Sequence, residues 1–137
     1  MMARAEEYLA RQVADRGAER AFSDSVGAAW TFNDFDKASD EIAALLKEKG
    51  VKPNDRVLLL SENCAAAVAT IFGTWKAGAV IIPVNARQTE GEVKRILDHA
   101  TPAAVLMTTG ASPDAGKHAE GMGAQEITGA FGALHMA

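Results

Sequence analysis

The chain has 137 residues, 48% of them apolar and 23% charged, a globular balance that fits one domain with a real core. Its net charge of −4, with no dense cluster of Lys and Arg, argues against a nucleic-acid partner. A single cysteine, Cys64, excludes an internal disulfide and a cysteine-rich zinc site, and fits a reducing cytoplasm.

Residues 3 to 16 read as an amphipathic helix, with Ala5, Leu9, Val13 and Arg16 on one side. The charges at Arg4, Glu6, Glu7, Arg11 and Asp15 leave no apolar signal core. Ala21-Phe22-Ser23 and Ala29-Trp30-Thr31 flank Asp24-Ser25-Val26-Gly27, which predicts a short hairpin with a glycine-bearing turn. Thr31 and Asp34 form the signature of a capping box. Phe35, Ala38, Ile42, Leu45 and Leu46 then recur at helical spacing until Gly50 stops the helix, and Pro53-Asn54 makes a turn. On the same helix Asp34, Asp36, Asp40 and Glu41 read as a solvated face.

Val57 to Leu60 is a continuous apolar run, as expected of a strand covered on both faces. A helix over 64–77, started by Ser61 or Asn63, is apolar nearly all round and should be buried on more than one side. Its apolar run, Cys64 to Trp75, is well short of the ~20 residues that span a bilayer. Core strands are expected at 79–82 and 103–107, separated by a helix with a second capping box at Thr89 and Glu92. The order strand, helix, strand, helix, strand demands two crossovers. The fold class is therefore α/β, a three-layer arrangement with a mainly parallel sheet (57–60, 79–82, 103–107), plus the N-terminal helix and hairpin. Residues 111–137 form a weakly patterned, glycine-rich tail, with a short helix near 113–120 and a fourth strand at 124–127.

Thr108-Thr109-Gly110 with Pro113 and Lys117 invites a phosphate-loop reading, since it follows a strand. The spacing argues for a polar surface loop instead: Gly110 and Gly116 enclose five residues where a nucleotide-triphosphatase loop has four. Arg87 is the residue to single out. It lies after a strand, where ligands of open α/β sheets gather, and guanidinium suits phosphate. The bland alternative is a surface arginine pairing with Glu90, Glu92 or a helix end. Asn85 is expected to fasten the strand-to-helix turn. His99 sits at a helix end, His118 and His135 lack metal-ligand spacing, and no carboxylate pair suggests acid–base work. Cys64 reads as an inert buried thiol, and Trp30 and Trp75 as core. No catalytic or metal-binding residue is assigned.

In order along the chain stand Trp30-Thr31-Phe32, Val51-Lys52-Pro53-Asn54-Asp55-Arg56-Val57, Ser61-Glu62-Asn63, Lys76-Ala77-Gly78-Ala79-Val80 and Pro83-Val84-Asn85-Ala86-Arg87. This succession resembles the N-terminal region of the adenylate-forming enzymes, the acyl-CoA synthetase and AMP-dependent ligase family. Asn54 stands where that family usually has glycine, and asparagine can hold the same turn. The resemblance implies a parent that joins a small carboxylic acid to AMP using ATP and Mg, then passes the acyl group to CoA. It implies a contact between Arg87, in Asn85-Ala86-Arg87, and the nucleotide end of CoA. It also implies that the ATP-binding loop and the catalytic lysine lie beyond this region, so that the chain is a truncated N-terminal subdomain, inactive alone. Two other readings are a free-standing small α/β binding module that uses the 110–117 loop, and an interaction fragment that self-associates through uncovered sheet edges.

Overall fold

The computed structural model describes residues 4–137. Helix α1 spans Ala5–Arg16, and the expected start at residue 3 lies outside the described residues. Strands β1 (Arg20–Ser23) and β2 (Ala29–Thr31) pair antiparallel as the predicted hairpin. Helix α2 (Phe32–Glu48) opens with the capping box in full: Thr31 Oγ1 accepts from the Asp34 N–H, and Asp34 Oδ2 accepts from the Thr31 N–H. Gly50, at φ 97°, and Asn54, at φ 71°, supply the left-handed residues that end the helix and form the turn.

Next come β3 (Arg56–Ser61), α3 (Ala65–Lys76), β4 (Val80–Asn85), α4 (Glu90–Ala100) and β5 (Ala104–Met107). β3 is central and pairs in parallel with β4 on one side and β5 on the other. Its side chains alternate between two cores. Val57 and Leu59 face α1, α2 and α3, with Phe35, Ile42 and Leu46. Leu58 and Leu60 face α4 and α5 (Pro113–Met122), with Val93, Ala115 and Ala119. The three layers follow directly.

Three expectations need correction. β4 runs to Asn85, beyond the predicted end at Ile82, and is an edge strand with Val80 exposed; an edge tolerates the missing N–H of Pro83. At α4 the Thr89 hydroxyl accepts from the Glu92 N–H at 3.2 Å, and only that half of the predicted box forms among the described residues. The tail is well built: after α5 come β6 (Gln125–Gly129) and β7 (Gly132–Met136). The predicted fourth strand is β6, but it is outermost. β7 lies between it and β5 and runs antiparallel to both, so the sheet order is β4-β3-β5-β7-β6. The hairpin is held by Phe131 and Leu134, both buried in the core beneath α3, and by Glu41, which accepts from the Ala130 N–H at 2.8 Å.

Candidate functional site

All three parallel strands end on the same side, and polar residues stand at each of their ends. Ser61 ends β3 and Glu62 and Asn63 follow it, Asn85 ends β4 and Arg87 lies just beyond, and Thr108 and Ser112 follow β5. This is the crevice where open α/β sheets bind ligands. A cleft of about 560 Å³ lies between Ser61–Asn63 and Pro83–Arg87.

The geometry around Arg87 is specific. Asn85 Oδ1 accepts from the Arg87 N–H at 2.9 Å, so Asn85 fastens the turn as expected. Arg87 Nε lies 2.8 Å from Glu62 Oε1, with the arginine side chain 73% exposed. The partner is thus Glu62, 25 residues away, rather than Glu90 or Glu92. The Ser112 hydroxyl, and after it the Arg87 guanidinium, hold the Glu62 carboxyl below the usual glutamate range. The Glu62 N–H in turn donates to Thr108 Oγ1 at 3.2 Å. One chain of bonds therefore links all three strand ends.

His118, on α5, was not expected to take part. Its Nε2 lies 3.0 Å from the carbonyl oxygens of both Ala86 and Gln88, on either side of Arg87. His135 Nδ1 meets Thr109 Oγ1 at 2.7 Å, and His99 is exposed in the last turn of α4. The acidic face of α2 is less free than its spacing suggests: Asp36 and Asp40 both pair with Lys76, at 2.6 and 2.8 Å.

The 108–117 segment is a surface loop and helix start rather than a phosphate cradle. A cradle needs free N–H groups. Here the N–H groups of Ala111 and Ser112 donate to the Thr108 carbonyl, that of Thr109 to Met107, and that of Gly116 to Ser112. The N–H of Ala115 goes to the Ser112 hydroxyl, which caps α5. With those donors spent inside the loop, these residues do not fit the triphosphate of ATP. Among the described residues no group of three or more His, Cys, Asp or Glu could hold a metal ion, and no helix is long and apolar enough to cross a membrane.

Cys64 lines a second cavity of about 340 Å³ beneath the β1–β2 turn, together with Asp24, Trp30 and Phe131. Burial pushes its thiol pKa up, which suits an inert side chain and not a nucleophile.

The fold is that of an open α/β domain with an exposed arginine at its strand ends. The family model described as AMP-binding enzyme matches residues 9–133, and the chain belongs to that adenylate-forming family, in its N-terminal region. The chain is 31% identical over 98 residues to a 3-oxocholest-4-en-26-oate–CoA ligase of Rhodococcus rhodochrous, covering 72% of this chain and 18% of the ligase. It is 27% identical over 107 residues to surfactin synthase subunit 1 of Bacillus subtilis, covering 77% of this chain and 3% of the synthase. Among solved structures it resembles the inhibitor-bound N-terminal domain of FACL13 from Mycobacterium tuberculosis. There the TM-score is 0.72 at 26% identity, over 76% of this chain and 26% of that one. The chain therefore spans a small part of the relatives it matches.

Proposed function

We propose that this chain is the scaffold part of the N-terminal domain of an acyl-CoA ligase. The parent activates a carboxylic acid with Mg-ATP: a carboxylate oxygen bonds to the α-phosphorus and pyrophosphate leaves; the CoA thiol then gives up its proton and attacks the acyl carbon, and AMP leaves. The observation that carries the reading is membership of the AMP-binding family together with the small share of a relative that this chain covers, 18% of the Rhodococcus ligase. The fate of the loop donors supports it: with the N–H groups after β5 spent internally, triphosphate and metal would be held by other parts of the enzyme.

What this chain contributes is position and one charge. β3, β4 and β5 set the crevice, and the turn fastened by Asn85 presents Arg87 to it. There the guanidinium meets the phosphates at the nucleotide end of CoA, while its ion pair with Glu62 engages Nε. The buried free thiol of Cys64 accords with work in a reducing compartment.

The test is ATP–pyrophosphate exchange across a panel of fatty and aromatic acids. The 137-residue chain alone is expected to give none. Clear acid-dependent exchange from it would overturn the scaffold reading.

A further inference from the structure

We infer that His118 is a positioning residue for Arg87, and that the grip it sets serves the phosphorylated nucleotide end of the acceptor. This rests on the reading of Arg87 given above. His118 Nε2 lies 3.0 Å from Ala86 O and 3.0 Å from Gln88 O. Carbonyl oxygens only accept, so Nε2 carries a hydrogen and shares it between the two. That places the ring hydrogen on Nε2.

Ala86 O belongs to the peptide unit that enters Arg87 and Gln88 O to the one that leaves Gln88, so the backbone is held from α5 on either side of the Arg87 residue. On the other side, Asn85 Oδ1 holds the Arg87 N–H, the Asn85 carbonyl accepts from Gln88, and the Ser61 carbonyl accepts from Ala86. Helix α5 also governs the far end of the arginine. Its capping residue Ser112 helps hold the Glu62 carboxyl below the usual glutamate range, and Glu62 pairs with Arg87 Nε at 2.8 Å. One helix thus sets both the backbone and the guanidinium of a side chain that is otherwise 73% exposed. The two carbonyls that His118 bonds lie one on each side of the candidate ligand contact.

The surroundings fit a nucleotide phosphate. Beside the strand-end crevice, and sharing Arg87 with it, a separate groove of about 460 Å³ runs between α4 and α5, lined by Val93 and Leu97, by Lys94, Lys117 and His118, and by the acids Glu90 and Asp114. Preorganising the arginine lowers the ordering cost of binding, so releasing the loop should weaken affinity without removing any charge.

The experiment is an NMR titration of the 137-residue chain with an adenosine bisphosphate. Binding should shift the Arg87 and Gln88 amides, and Arg87→Ala should weaken it. His118→Leu should weaken it about three- to tenfold while the amide shifts of Leu59 and Leu106 stay unchanged. His118→Gln, whose amide nitrogen reaches the Nε2 position, should recover most of the affinity. A folded His118→Leu chain that binds like wild type overturns the inference, as does a His118→Gln loss equal to that of Leu. If His118→Leu does not fold, the wild-type imidazole nitrogen spectrum decides, since a hydrogen on Nδ1 alone contradicts the shared bond. No binding by wild type, or undiminished binding by Arg87→Ala, removes the reading of Arg87 and the inference with it.

Discussion

Asp24 caps a helix that begins 41 residues later: its Oδ2 accepts from the Ala65 N–H at 2.8 Å. The other oxygen accepts from Val26 and Ala28, at 3.1 and 2.9 Å, and so shapes the hairpin turn. Cys64, the residue at the start of α3, makes no side-chain capping bond of its own. One carboxylate therefore ties the β1–β2 hairpin to the helix dipole beneath it.

Asp24→Ala should cost about 1–2 kcal/mol at neutral pH, the range for losing a charged cap. The Ala65 bond, more than those to Ala28 and Val26, holds the Asp24 pKa below the ordinary aspartate value. A folded-state pKa below the unfolded one stabilises above the unfolded value, and that stability fades as pH falls through the folded one. Urea melts at pH 7 and at acid pH should therefore show the gap between wild type and Asp24→Ala narrowing below about pH 4. An equal gap at both would refute the role of the charge.

Cys64 should react slowly. It is 7% exposed and desolvation raises its pKa, so little thiolate forms and little reagent reaches it. Iodoacetamide labelling at mildly alkaline pH should be at least about tenfold slower in the folded chain than in urea. Labelling at the unfolded rate would place the thiol at the surface.

The parts of this fold that were legible in the sequence are those set by local periodicity. Val57 to Leu60 announced a strand buried on both faces, and Thr31 with Asp34 announced the start of α2, because both signals lie within a few residues. Asn85 was readable for the same reason, its bond spanning two residues. Glu62 as the partner of Arg87, Asp24 as a cap and His118 as a clamp were not, since each acts across 25 to 41 residues. Only the topology brings them together. β7 was missed because Gly132-Ala133-Leu134-His135-Met136 has little β propensity; it is a strand because β5 offers an edge and Leu134 a core to fill.

Thr31→Ala removes the hydroxyl that receives the Asp34 N–H at 3.1 Å, and loosens the return bond from Thr31 N–H to Asp34 Oδ2 at 2.9 Å. The loss should be about 1 kcal/mol by denaturant titration, with an unchanged m-value. Thr31→Ser should recover most of it. A Thr31→Ala chain as stable as wild type would mean that packing of α2, and not its cap, decides where the helix starts.

Two glycine substitutions should move stability in opposite directions. Gly73 lies where α3 crosses α2, and a Cβ there would meet Ile42 Cβ and Cγ2 at 2.6 Å and the Ser39 carbonyl at 2.8 Å. Neither neighbour is a flexible chain end. Alanine gains about 1 kcal/mol in helix propensity, but overpacking a rigid contact costs about 1–3 kcal/mol, and the backbone contact puts this site at the upper end. Gly73→Ala should therefore lower stability by about 1–2 kcal/mol. Gly116, within α5, meets nothing within 4 Å, so Gly116→Ala keeps the propensity gain and should raise stability by about 0.5–1 kcal/mol. Urea denaturation of both variants compares them directly. A stabilised Gly73→Ala would show that α2 and α3 can move apart at no cost, and would remove the close helix crossing as the reason for glycine there.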